Sequence, residues 1–177
     1  MGMVDIILII ILTIVIAWLS WLISLKDKRY HGIFRFFSFE SILILVLMNY
    51  PVWFKNPLAW YQLISWVLLG GSLLVAFFGF YLFYRHGKPA DGMEETTALI
   101  TSGLYRYIRH PMYLSLILGG FGVMMKKPDW LTVSLSIVNL LALIFTAKVE
   151  EKEMIQRFGK DYKEYISGTK MFIPFLL

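Results

Sequence analysis

Thr101-Ser-Gly-Leu-Tyr-Arg-Tyr-Ile-Arg-His-Pro-Met-Tyr113 lies between long apolar runs and gathers Arg106, Arg109, His110 and three tyrosines. Pro111 has no backbone N–H and biases His110 towards an extended conformation. A helix is therefore expected to begin at Pro111 rather than to pass through it. The apolar run Met112–Met125 is that helix. Arg109 and His110 stand at its mouth, beside backbone N–H groups with no intrahelical partner and the positive end of the helix dipole. Such a place suits an anionic ligand group. A plainer reading makes Arg109 a headgroup anchor and His110 a cap, and these residues alone leave both open.

The surroundings decide the class. The chain has 177 residues, 58% apolar and 16% charged, whereas soluble domains average roughly 45–50% apolar and about 25% charged. An integral-membrane protein of one domain is expected. No cysteine is present, which excludes a disulfide framework, a thiolate nucleophile and sulfur ligation of a metal. His31, His86 and His110 lack zinc-ligand spacing.

Five apolar segments are legible: Val4–Leu25, Phe36–Phe54, Trp60–Tyr84, Met112–Met125 and Trp130–Ala147. About 20 such residues cross a hydrocarbon core. The first reads as a transmembrane helix and not a cleaved signal, because no basic residue precedes it and no small-x-small site follows. Lys26–Arg35 is a basic connector. The second segment holds Glu40, read as an interfacial or snorkelling residue, and Pro51. Asn56-Pro57 turns the chain. In the third, Gly70-Gly71 and Gly79 are expected to admit a neighbouring helix. Arg85–Thr97 is a polar loop. The fourth run measures only about 21 Å at about 1.5 Å per residue, short against about 30 Å of hydrocarbon. It is expected either to be extended by the preceding motif or to form a hairpin with the fifth, turning at Lys126-Lys-Pro-Asp129.

With the N-terminus outside, Lys26, Lys28, Arg29, Arg35, Arg85, Lys88, Arg106 and Arg109 fall inside. So do Lys148, Lys152, Arg157, Lys160, Lys163 and Lys170, against Lys55, Lys126 and Lys127 outside. The net charge of +5 thus follows the positive-inside rule and does not call for nucleic acid. The expected fold is an all-α membrane protein of about five transmembrane helices, with its polar loops and C-terminus in the cytoplasm. One integral-membrane domain covers 1–177: spans one to three and a loop over 1–96, then a helical hairpin and C-terminal lid over 97–177.

A hairpin of spans four and five makes Glu150-Glu151 a neighbour of Arg109–Tyr113. Glu153 and Arg157 have i,i+4 spacing and read as a structural pair. Phe158-Gly159 ends the helix. Tyr162, Tyr165 and Ile166 suggest a short amphipathic helix, and Met171–Leu177 is expected to fold back onto the membrane or the pocket.

The order Gly103-Leu-Tyr-x-x-x-Arg109-His-Pro-x-Tyr113, apolar hairpin, Glu150-Glu151, Phe158-Gly-x-x-Tyr-x-x-Tyr165 and Ile173-Pro174 resembles the membrane-integral isoprenylcysteine carboxyl methyltransferases and their prokaryotic relatives. The resemblance covers about residues 97–174. The related phosphatidylethanolamine N-methyltransferases share Pro-Met-Tyr and the Glu pair but have Asn where this chain has His110. The resemblance implies S-adenosylmethionine as methyl donor, in a cytoplasmic pocket covered by the C-terminal segment. It implies Tyr105, His110, Pro111, Tyr113, Glu150 and Glu151 for the donor, and Arg109 for an anionic acceptor and its reaction. The implied acceptor is lipidic or prenylated, with a carboxylate of isoprenylcysteine type. Glutamates suit the donor's ammonium or ribose hydroxyls, tyrosine faces its sulfonium, and a helix N-terminus its carboxylate. One departure concerns the acceptor: where relatives often have an arginine, this chain has Met171, leaving Lys170 as the substitute. Other readings are a phospholipid amine N-methyltransferase, an NADPH-dependent sterol-type reductase, or a non-enzymatic membrane scaffold.

Overall fold

Apolar runs too long to stay soluble become helices, and the turn residues between them set the bends. A computed structural model describes residues 3–27, 29–87 and 98–174. Six helices follow one another among these residues: α1 (Met3–Ile23), α2 (His31–Asn49), α3 (Trp60–His86), α4 (Pro111–Met124), α5 (Trp130–Phe158) and α6 (Lys160–Gly168). No strand occurs among the described residues, only an isolated bridge between Ile108 and Lys170. The bulk of the expected loop Arg85–Thr97, including Lys88, and the final residues 175–177 lie outside the described residues.

Four helices, α1, α2, α3 and α5, are long and apolar enough to cross a membrane. The fourth apolar run, α4, has 14 residues and falls short of a full span. Pro111 is its first residue, as the missing N–H dictates. One boundary differs from expectation. The connector ends at Tyr30, so His31–Arg35 already belong to α2, and Glu40 lies well inside the helix instead of at its edge. There it accepts a hydrogen bond from Thr13 Oγ1 of α1 at 2.7 Å. α5 ends at Phe158 with Gly159 as its cap, as the Phe158-Gly159 pair predicts, and carries the charged stretch beyond Ala147 as part of one helix of 29 residues. Hydropathy marks where apolar surface ends, but lysine and glutamate are good helix formers and sustain the helix beyond it.

The turn into α5 is fixed by Asp129. Its carboxylate accepts from the N–H groups of Leu131 at 3.1 Å and Thr132 at 2.9 Å, while Thr132 Oγ1 accepts from the Asp129 N–H at 3.0 Å. This is a reciprocal cap. At the same tip Lys126 is buried, its ammonium 3.2 Å from the centre of the Trp66 ring and 3.1 Å from Gln62 Oε1. Cation–π attraction and a hydrogen bond together hold the hairpin tip to α3.

Helix α3 packs along α4, α2 along α5, and α1 against α2, while α4 also touches α5 and α2. Of the expected pair Gly70-Gly71, Gly71 meets α4 only at ordinary contact distance, a Cβ there lying 3.9 Å from Leu118. A side chain at Gly70 would meet nothing within 4 Å. The tight contacts are made by the glycines of α4: a Cβ on Gly122 would come within 2.9 Å of Leu69, and one on Gly120 within 2.5 Å of Asn139. Gly79 does meet α4, with Met112 and Pro111 at ordinary contact distance. Polar side chains tie the helices where their backbones come close. Ser38 Oγ donates to Asn139 Oδ1 at 2.6 Å, Asn139 Nδ2 donates to the Leu116 carbonyl at 3.2 Å, and Ser65 Oγ donates to the Gly122 carbonyl at 2.6 Å. Interhelical bonds of this kind contribute where apolar packing gains little over lipid.

Candidate active site

Gly103 opens the organising stretch with φ of +61°, and a Cβ there would come within 2.6 Å of Leu82. Only glycine satisfies both demands. It starts a short 3₁₀ turn, Gly103–Arg106, which buries Tyr105 against Phe83 and Ile100. The chain then runs extended to α4 and is paired by the C-terminal segment. The Lys170 N–H donates to the Tyr107 carbonyl at 3.0 Å, Arg109 N–H to the Lys170 carbonyl at 2.8 Å, and His110 N–H to the Met171 carbonyl at 3.1 Å. Phe172 enters the core beside Ile117, Leu143 and Ala147. The C-terminal residues through Phe172 thus form a strap over the motif.

α5 brings its glutamates to this strap. Arg109 Nε donates to Glu151 Oε1 at 2.6 Å, and its Nη1 donates to the carbonyls of Ile166, at 3.4 Å, and Thr169. His110 Nε2 lies 3.2 Å from the same Glu151 oxygen. Tyr113 Oη donates to Glu150 Oε2 at 2.7 Å, and His110 Nδ1 is 3.7 Å from that oxygen. The His110 and Tyr113 rings stack, 5.3 Å apart and 11° from parallel. Tyr165 Oη donates to the Tyr105 carbonyl at 2.6 Å. Burial, with the charge of Glu150 second, pushes the Tyr105 hydroxyl far above the ordinary tyrosine value. Burial acts first on Tyr162 and Tyr165 too; at Tyr162 Glu151 and Glu150 add to it, and at Tyr165 the Arg109 charge opposes it before Glu151 adds to it. These phenols stay protonated at neutral pH and are not bases.

A cavity of about 870 Å³ opens beside this cluster, within the roughly 300–1,000 Å³ range of small-molecule sites. Tyr105, Arg109, His110, Tyr113, Glu150 and Tyr165 form its polar wall. Leu19 of α1, Phe39 of α2, Leu73, Phe77 and Phe80 of α3 and Leu116 of α4 form its apolar lining. The chamber therefore accepts a molecule, or two molecules side by side, with one polar and one greasy end.

The structure brings together Tyr105, Arg109, His110, Pro111, Tyr113, Glu150 and Glu151, with Pro111 buried as the first residue of α4. It separates Lys170, which is exposed and engages the motif through its backbone. Glu153 does not pair with Arg157 along the helix. It takes Arg29 Nε at 3.3 Å and His31 Nδ1 at 3.1 Å. Arg29, His31 and Arg35 line the cavity, and none was singled out from the sequence. The only hint lay in the density of basic residues in the Lys26–Arg35 connector, which orientation alone explained.

Comparisons with known proteins agree on the class. A probable protein-S-isoprenylcysteine O-methyltransferase of Oryza sativa subsp. japonica is 33% identical over 87 residues, 47% of this chain and 44% of that protein. The protein-S-isoprenylcysteine O-methyltransferase of Homo sapiens is 27% identical over 162 residues, 78% of this chain and 56% of that protein. A methanethiol S-methyltransferase of Pseudomonas deceptionensis is 27% identical over 92 residues, 52% of this chain and 32% of that protein. The chain thus spans about a third to a little over half of these relatives' length. The phospholipid methyltransferase family profile matches residues 60–161, which takes in α3, α4, all of α5 and the Arg109–Tyr113 motif between them, so the chain belongs to the phospholipid methyltransferase family.

Proposed function

We propose that this protein transfers a methyl group from S-adenosylmethionine to a lipidic or prenylated acceptor at the membrane surface, the accepting group being a carboxylate. The observation that carries the reading is the two-ended cavity, in which a wall of carboxylate, imidazole and tyrosines adjoins an apolar lining from α1, α2, α3 and α4. S-Adenosylmethionine supplies an electrophilic methyl group on a positively charged sulfur. The residues fit such a donor. Glu150, lining the cavity and held by Tyr113, offers charge-assisted bonds to an ammonium or to ribose hydroxyls. The Tyr113 ring, fixed by its stack on His110, offers a face to a cation.

A carboxylate acceptor is ionised at neutral pH and leaves as a neutral methyl ester, so no proton must be removed. An amine acceptor needs a base. The buried tyrosines keep their protons on and do not serve as that base. The chain's part in the reaction is to hold two partners close, oriented and shielded from water. Arg109, the sequence's candidate for the acceptor, lines the cavity while its Nε donates to Glu151 and its Nη1 to the carbonyls of Ile166 and Thr169. On this reading it positions the strap.

Both halves of the chain, 1–96 and 97–177, contribute walls to one cavity and act as a single domain. α4 joins the four long helices as a fifth membrane element, and the distribution of basic residues puts the site and the C-terminus in the cytoplasm. Calorimetry of the detergent-solubilised protein tests the donor: S-adenosylhomocysteine binds and NADPH does not. Binding of NADPH alone overturns the reading in favour of a reductase, and binding of neither overturns it in favour of a scaffold.

A further inference from the structure

We infer that Arg29, His31 and Arg35, from the junction of α1 and α2, form the subsite that holds the acceptor's carboxylate. The inference rests on the methyl-transfer reading above and deepens it. If Arg109 is occupied by Glu151 and the strap, and the Lys170 side chain lies outside the cavity, the acceptor's anion needs other cations. All three residues line the cavity that Glu150 and Tyr113 line.

The junction is built, not loose. Gly32 lies so close to the end of α1 that a Cβ there would meet Ser24 Cβ at 2.6 Å. Arg29 N–H donates to the Ser24 carbonyl at 3.0 Å, and Arg35 Nη2 donates to Ser24 Oγ at 2.6 Å. From α5, the Glu153 carboxylate receives Arg29 and meets the His31 ring, which helps to orient the cluster. Arg29 has a side-chain exposure of 16%, and a charge this shielded acts strongly on a ligand; the His31 ring, 2% exposed, is buried beside it.

Position selects the acceptor over the donor. Glu150 and Glu153 are three residues apart on one helix, neighbours at about 5–6 Å between Cβ atoms. Glu150 joins the Tyr113 wall, whereas Glu153 joins the basic cluster. The cluster adjoins the apolar residues Ile16, Leu19, Ile23 and Phe39 of the same two helices. An amphiphile whose tail lies along them puts its anionic head on the arginines, one helical turn from the donor wall. Planar guanidinium groups match a carboxylate with two parallel bonds, which a lysine cannot do.

The test is binding to the full chain in nanodiscs. The probes are S-adenosylhomocysteine, N-acetyl-S-farnesylcysteine, and the carboxamide of the latter, which has the same shape without the charge. Wild type should bind the carboxylate about tenfold or more tighter than the carboxamide, and Arg35→Gln should cut that preference to about threefold or less. Arg29→Gln should do the same, and Arg35→Lys should retain part of it. Adenosylhomocysteine affinity should stay within about twofold in each variant, which also certifies folding; should Arg29→Gln not fold, Arg35→Gln decides. A carboxylate that binds wild type no better than the carboxamide, or not at all, overturns the inference. So does a preference that survives in Arg35→Gln. A parallel loss of adenosylhomocysteine affinity overturns it too, because the cluster then grips the donor's own carboxylate. Failure of wild type to bind adenosylhomocysteine is a separate result and strikes the methyl-transfer reading itself.

Discussion

Replacing Arg109 by lysine should loosen the strap rather than merely disturb an acceptor. The guanidinium reaches Glu151 with Nε and, with Nη1, the carbonyls of Ile166 in α6 and of Thr169 just beyond it. Lysine keeps the charge but concentrates it at one atom and cannot span both sides. At least one bond to a charged or closely held partner is lost, worth about 1.5–3 kcal/mol where an ion is involved. The side-chain exposures of 8% for Arg109 and 13% for Glu151 make solvent screening slight, so no large discount applies. Since about 1.4 kcal/mol is a factor of ten, opening of the strap should become roughly 10- to 100-fold more frequent. Hydrogen exchange reads this directly at the Lys170 amide, which is bonded to the Tyr107 carbonyl at 3.0 Å, because exchange of a protected amide reports local opening. Arg106→Lys is the control, as Arg106 is exposed and lies over the Tyr107 ring, and it should leave Lys170 unchanged. Protection at Lys170 that survives Arg109→Lys within about twofold would refute the positioning role and return Arg109 to the acceptor.

Three further outcomes follow from the same geometry. Glu150→Gln should weaken adenosylhomocysteine binding in calorimetry by about 1–3 kcal/mol, the cost of a charge-assisted bond, and Tyr113→Phe by less, since it only frees the carboxylate Tyr113 holds. Gly122→Val should lower the thermal midpoint in detergent, because its side chain must displace Leu69 at the α3–α4 contact, with overpacking typically costing about 1–3 kcal/mol. Gly70→Val, facing open space, should not. The buried Tyr105, Tyr162 and Tyr165 keep their protons above the ordinary tyrosine value of about 10, while the unfolded chain loses them there. Above that pH the folded state binds more protons than the unfolded one, so stability is intact below about pH 10 and falls as pH rises past it. Alkaline absorbance titration should show three fewer tyrosinates before unfolding than after.

Much of the cavity's polar wall was legible because local chemistry and short topology sufficed. Pro111 announced where α4 begins, and a hairpin of two apolar runs had to return Glu150 and Glu151 to the same end. Where tertiary contacts overrule local rules, legibility stopped. The i,i+4 spacing offered Arg157 to Glu153, yet Glu153 binds Arg29 and His31, 124 and 122 residues away. A helical pair contributes only about 0.2–0.5 kcal/mol, too little to hold the carboxylate against partly buried cations. Gly70-Gly71 and the glycines of α4 look alike as small residues in apolar runs. Which set meets a neighbour most tightly depends on helix rotation, and an almost uniformly apolar α3 carries no pattern to fix it. The bridge from Ile108 to Lys170 left no trace, since a paired extended residue on each side makes no periodicity.

The three glutamates of α5 show how one helix end serves several tasks. Successive residues Glu150 and Glu151 point about 100° apart around a helix of 3.6 residues per turn, so they cannot serve one partner group equally. Glu151 turns to Arg109 and the strap, and Glu150 to Tyr113 and the cavity. Glu153, nearly a full turn on, returns close to the direction of Glu150 but one step along the axis, where it meets the start of α2. On the proposed reading the strap, the donor wall and the acceptor subsite are thereby referred to a single rigid element. A shift of α5 moves all three together. Their relative spacing, on which an in-line displacement depends, then survives motions of the surrounding membrane helices.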